Sequence, residues 1–237
     1  MTTPRLSGAP APRPDGDRAR GSLLVADRIV TLGHGRYRAR ALVIRGKRVV
    51  WVGDDPEQAP PYGERIDLTG CTIGPAFVDS HVHLTPTGIT LTGLDLSGAG
   101  SGAEMLRAVR TYAAQHTGRV VWGHGYDPHG FPDDLPTPEQ LAEAGQGMAV
   151  FLSRADGHSC IVDALTLSSA PLARAHGVER DSDGNPTGIL KREANHILRR
   201  WSIGAMTADE LTEARRVVTR HAAGLGIASV HEMGGPD

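Results

Sequence analysis

The sequence predicts an α/β protein in which a small all-β module precedes a layer or barrel of strands alternating with helices. Three observations carry that reading. Residues 21–74 form short runs rich in Val, Ile and Leu, separated by turn residues and free of any helix-length period. After residue 74, strand-like runs alternate with capped amphipathic segments. No internal repeat accompanies the alternation, so it describes successive strand–helix units rather than a solenoid.

Taken in order, residues 1–20 carry Pro4, Pro10, Pro12 and Pro14 with almost no large apolar side chain, which predicts a disordered tail. An apolar leader segment is missing from it, and Asp15, Asp17 and the prolines oppose an amphipathic presequence. A cytoplasmic protein is the expectation. Residues 21–74 are expected to form a sandwich-like β module, with strands at Ser22–Ala26, Arg28–Leu32, Ala41–Arg45, Arg48–Val52 and Arg65–Leu68. The run Ile44-Arg45-Gly46-Lys47-Arg48-Val49 predicts a tight hairpin led by Gly46.

In residues 75–237, Pro75–His83, Arg119–Gly123, Met148–Ser153 and Ile227–His231 are the expected strands. Ser101-Gly102-Ala103-Glu104, Thr137-Pro138-Glu139-Gln140 and Thr207-Ala208-Asp209-Glu210 are capping boxes that open helices. Between Met148–Ser153 and about His176 a loop and short helical pieces are expected. Asp181–Pro186 is a turn cluster, and Ile189–Trp201 is helical in its second half. Strand–helix–strand units imply parallel strands and right-handed crossovers.

Composition excludes several function classes. The chain carries 25 Lys and Arg against 27 Asp and Glu, a net charge of −2, which gives no pull toward nucleic acid or an anionic membrane. No run approaches the roughly 18 apolar residues of a membrane span. Cys71 and Cys160 are far apart and form no Cys-x-x-Cys, which opposes a disulfide scaffold or a thiolate zinc site. No Gly-x-Gly-x-x-Gly or Walker pattern supports nucleotide binding.

Histidine carries the chemistry. Asp79-Ser80-His81-Val82-His83 ends the first strand after the β module, and residues two apart on a strand share a face. His81 and His83 can therefore offer two imidazoles to one divalent ion of the zinc type. Eleven histidines in 237 residues would supply a His-x-His pair by chance often enough that the pair alone means little. Its place, at the C-terminal end of the first strand of an α/β unit where barrel active sites are built, is what gives it weight.

With the motifs Gly74-Pro75-Ala76-Phe77-Val78-Asp79-Ser80-His81-Val82-His83-Leu84, Gly123-His124-Gly125-Tyr126-Asp127, Ser153-Arg154-Ala155-Asp156-Gly157-His158-Ser159, Asp183–Gly188 and Gly226–Glu232, residues 22–237 resemble the metal-dependent amidohydrolase superfamily. The resemblance is to its amidohydrolase-3 branch, which includes N-substituted formamide deformylase-like enzymes. It implies a (β/α)8 TIM-type barrel, one or two zinc-like ions and hydrolysis of a non-peptide C–N bond in a small-molecule amide. It also implies a Lys or acidic ligand from a middle strand. Here Glu193 is the candidate and Lys191, which would first need carboxylation, the alternative. The common branch pattern places the acid one position earlier, where this chain has Arg192. By resemblance His158 lines the substrate pocket, with Tyr126, Asp127 and His124 after the second strand beside it, and His231 is a weaker candidate for a metal ligand. A homo-oligomer is compatible with all of this.

Length then becomes informative. Residues 75–237 hold only about four barrel strands, whereas a complete barrel takes eight and about 250 residues. The expectation is the N-terminal half of an amidohydrolase, with the proton-shuttling aspartate beyond Asp237 and little activity alone. Two other readings stay open: a non-catalytic fragment or scaffold that needs its missing half, and a metal-dependent phosphoesterase, disfavoured because Arg154 is the one basic residue near the expected site.

Overall fold

Both faces of the central strands are apolar in sequence, and the structure, a computed structural model describing residues 21–33, 39–172 and 174–233, shows why. The expected tail at 1–20 lies outside the described residues. The chain divides into two compact units, residues 1–77 and 78–237.

In the first unit, β1 (Ser22–Ile29), β2 (Ala39–Arg45), β3 (Arg48–Gly53) and β4 (Glu64–Ile73) form one four-stranded sheet in the order β3-β2-β1-β4. Among the described residues a second facing layer, as a sandwich would need, is not formed. Strand β1 is continuous where two strands were expected, and it pairs antiparallel with β2 and parallel with β4. The β2–β3 hairpin turns at Gly46 and Lys47 with Arg45 opposite Arg48. Gly46 takes φ +58°, the left-handed conformation such a two-residue loop demands.

The second unit begins with β5 (Phe77–Val82), α1 (Leu84–Thr92), β6 (Leu94–Asp95), α2 (Gly102–Gln115), β7 (Val120–Tyr126), α3 (Pro138–Gly145) and β8 (Ala149–Arg154). There follow β9 (Ser159–Val162), α4 (Ala164–Ser169), β10 (Val178–Arg180), β11 (Pro186–Lys191), α5 (Arg192–Ala205), α6 (Ala208–Gly224) and β12 (Ile227–Glu232). Two of the three expected capping boxes form in full, and at Ser101 the Glu104 carboxylate accepts instead from the Gly100 N–H. Ser101 Oγ accepts from the Glu104 N–H, and Thr137 and Thr207 each complete a reciprocal box with Gln140 and Glu210.

Six strands form one sheet in the order β10-β11-β9-β8-β7-β6. Strands β6, β7 and β8 are parallel, as strand–helix alternation requires. Beyond them the sheet turns antiparallel, with β8 against β9, β9 against β11 and β11 against β10. The reason is local. Only four residues separate Arg154 from Ser159, too few for a crossover of roughly a dozen residues, so β9 must fold straight back. Gly157, at φ +70°, makes the reversal.

Alternate residues of these strands enter two separate cores. Val121, Val150, Leu152 and Ile161 pack with Met105 and Val109 of α2 and Leu141 of α3. Trp122, Phe151, Cys160, Val162 and Leu190 pack with Ile89 of α1, Ala194 and Leu198 of α5 and Ala214 of α6. Burial on both faces explains the near-continuous apolar runs of β7, β8 and β9. The sheet is thus covered by helices on both sides, whereas a barrel closed around its own interior packs helices on the outside alone. Strand β5 lies apart from it, in a two-stranded sheet with β12. No helix among the described residues is long and apolar enough to cross a membrane.

Candidate metal centre

Strand β5 delivers the histidine pair to its C-terminal end: His81 is in the strand and His83 is the N-cap of α1. Their ring centroids are 5.8 Å apart, edge to face at 84°. Two imidazoles sharing a tetrahedral ion at about 2.0–2.1 Å have ring centres on the order of 5–6 Å apart. The pair fits a divalent metal as two of its donors. Both side chains are exposed and open to solvent.

Short backbone ties hold this segment. Asp79 Oδ1 accepts from the His81 N–H at 3.1 Å. The Leu84 N–H, at the start of α1, donates to Glu232 Oε2 at 2.7 Å, placing a carboxylate at the positive end of the helix. The Met233 N–H donates to Val82 O at 2.9 Å, continuing the pairing of β12 with β5. The sequence pattern marks Glu232 only as a strand-end residue beside His231. The role of Glu232 as a cap arises from a contact 148 positions away, which no local signal reveals.

No group of three His, Cys, Asp or Glu side chains among the described residues could hold a metal ion. Glu193 therefore does not join His81 and His83. It stands in the first turn of α5, where its Oε2 accepts from the His176 N–H at 2.9 Å. Lys191, the alternative, is ion-paired across the β10–β11 ladder with Glu179 at 2.6 Å. Arg192, where the branch pattern expects the acid, sits at φ +51°, a left-handed turn between β11 and α5.

The substrate-pocket candidates fare unequally. Tyr126 is 1% exposed and packed in the core with Leu96, Met105 and Leu141, so its phenol faces protein rather than a substrate. Burial pushes its hydroxyl pKa well up, keeping it neutral. It occupies the last position of β7, pointing to the α2–α3 face, a register the sequence reading did not assign. Asp127 is exposed, accepts from the His129 N–H at 3.2 Å and from Arg154 Nη2 at 3.3 Å. Arg154 also lies 3.7 Å from Asp156, linking the ends of β7 and β8. His158 is held by its backbone, its N–H donating to Asp156 Oδ1 at 2.8 Å and its carbonyl accepting from the Arg192 N–H at 3.2 Å.

Asp95 was not singled out by the sequence. It ends β6 and is paired in register with His124, inside the adjacent parallel strand β7. The Ser97 backbone N–H, with the Ser97 hydroxyl and the nearby His124 ring adding to it, holds the Asp95 carboxyl below the usual carboxylate range. A two-residue strand gives almost no periodic signal, which is why it escaped notice. The buried Cys160 thiol is pushed up to about 12 by desolvation, so it is an inert core residue.

Residues 64–237 match the model of the amidohydrolase family, its amidohydrolase-3 branch. The chain belongs to that family. It is 31% identical over 148 residues to the putative amidohydrolase YtcJ of Bacillus subtilis, spanning 58% of this chain and 28% of that one. It is 27% identical over 173 residues to the N-substituted formamide deformylase of Arthrobacter pascens, spanning 68% and 32%. An uncharacterized metal-dependent hydrolase of Pyrococcus horikoshii OT3 superposes with a TM-score of 0.69 at 25% identity, over 90% of this chain and 43% of its own. This amidohydrolase chain spans less than half the length of the curated relatives it matches.

Proposed function

We propose that this amidohydrolase chain contributes the first metal ligands of a hydrolase that cleaves a non-peptide carbon–nitrogen bond in a small-molecule amide. The observation that carries the reading is the His81–His83 pair at the end of β5, with ring spacing suited to one ion. Zinc is the metal the imidazole donors favour, with one or two ions in the complete site. A cytoplasmic location remains part of the proposal.

Within that reading His81 and His83 bind the metal, and Asp79 steadies His81 through its backbone N–H. Glu232 fixes the start of α1 directly after His83. When bound, the ion lowers the pKa of a coordinated water toward about 7 and polarises the amide carbonyl. Asp127 and His158, exposed at strand ends, are the residues proposed to meet the substrate. The reaction also needs a carboxylate to move a proton from the water to the leaving nitrogen. That group is proposed to come from polypeptide outside this chain.

A second reading is favoured by one observation: no three-donor group forms among the described residues. On it, the 237-residue chain alone is inactive and a further portion completes the site. The exposed faces of β5 and β12 support it.

The experiment is an amine-release assay on N-formyl and N-acyl amines, using the complete polypeptide in which these residues occur and the 237-residue chain in parallel. The first reading expects zinc-dependent turnover by the complete polypeptide that disappears in the His81→Ala/His83→Ala variant. Full turnover by that variant would overturn it. The second expects the 237-residue chain to be inactive, and activity of that chain would overturn it.

A further inference from the structure

A cavity of about 630 Å³ lies where α5 meets the turn carrying His158, lined by His158, Arg192, Glu193, His196, Ile197 and Arg200. His196 and Arg200 are spaced i, i+4 and share one face of α5, and Arg192, in the left-handed turn that opens the helix, lines the same cavity. An exposed helix ordinarily interleaves such cations with carboxylates at i+4. Here the intervening position is a histidine, and neither arginine has a carboxylate within ion-pair distance among the described residues. The sole acid in the lining, Glu193, has one oxygen committed to the His176 N–H.

The cavity wall is built, not fluid. Asn195, fully buried, donates from Nδ2 to Gly157 O at 3.1 Å, and Arg199 Nη2 donates to the same carbonyl at 3.1 Å. The Arg192 N–H donates to His158 O. These bonds fasten the backbone of the His158 turn to α5, and His158, Arg192, His196 and Arg200 line the one cavity between them. Arginine forks match the paired oxygens of carboxylate and phosphate. The volume is within the range of small-molecule sites.

We infer that this cavity binds a small organic anion through its carboxylate or phosphate oxygens, with Arg192 and Arg200 as the recognising cations and His158 and His196 as added donors. The inference uses neither the histidine pair nor a metal, and it shares with the proposed function only His158, the residue proposed there to meet the substrate.

The test is calorimetric titration of the 237-residue chain with inorganic phosphate and, separately, with succinate. Saturable binding of at least one is expected, weakening with added salt. In Arg192→Ala/Arg200→Ala the affinity falls about tenfold or more, equal to about 1.4 kcal/mol. Arg107→Ala, an exposed cation elsewhere, leaves it unchanged. A preference for phosphate assigns the site to phosphate esters, and a preference for succinate assigns it to carboxylates. Circular dichroism of each variant establishes that it is folded. Equal binding by the folded double variant, or absence of saturable binding of both anions, overturns the inference.

Discussion

Strands β8 and β5 are equally short and each carries a run of apolar residues, yet they meet opposite fates. Phe151 of β8 is fully buried, stacked at 4.5 Å on Trp122, with helices over both faces of its sheet. Val78 of β5 is 59% exposed, in a sheet with one partner strand. What separates them is the number of neighbours, together with Asp79, Ser80 and His81, which interrupt the apolar run of β5. Stability in the second unit is concentrated in β7–β9 and the helices over them, whereas the histidine pair is held by a few hydrogen bonds and β12.

That contrast makes graded predictions. Phe151→Ala should cost about 3–5 kcal/mol, measured by urea unfolding, through lost burial and the cavity left behind. A loss below about 1 kcal/mol would show that the β8 core can collapse, and would blur the comparison. Thr207→Ala removes the cap of α6, the helix leading into β12, and should cost about 1 kcal/mol. Smaller still is the effect at Asp133, whose oxygens accept from the Gly102 and Ala103 N–H groups at the start of α2. Those bonds lower its pKa, so their contribution is present above the unfolded carboxylate value near 4 and is lost as pH falls through the lower folded value. Asp133→Asn should therefore flatten the acid limb of stability against pH. Val78→Ala should change stability by no more than about 0.5 kcal/mol, and a larger loss would mean β5 is covered by more than β12.

The sequence and the structure agree where a residue's role depends on its near neighbours. The Thr137 and Thr207 capping boxes, the Ser101 cap, the Gly46 hairpin and strands β7 and β8 are all legible, because each is written within a few residues. Antiparallel β9 was missed although Asp156-Gly157 between two apolar runs is itself a hairpin signal; reading it as a functional turn hid its structural meaning. Strand β10 pairs across Asp181–Asn185, recognised as a turn but not as a hairpin. At the site, the His-x-His spacing was visible, and its ring separation follows from it. The cap by Glu232, the burial of Tyr126 and the separation of Glu193 from the histidines depend on long-range packing or on strand register, which spacing does not encode. The spacing of His196 and Arg200 is readable as a helical face, but the left-handed turn that brings Arg192 beside them is not.

The central claim is that His81 and His83 together hold a divalent ion. Zinc titration of the 237-residue chain against a competing chromophoric chelator, with the folded His81→Ala/His83→Ala variant alongside, tests it most directly. The account predicts saturable zinc binding by the natural chain and its loss in the double variant. Undiminished zinc binding by that variant would contradict it.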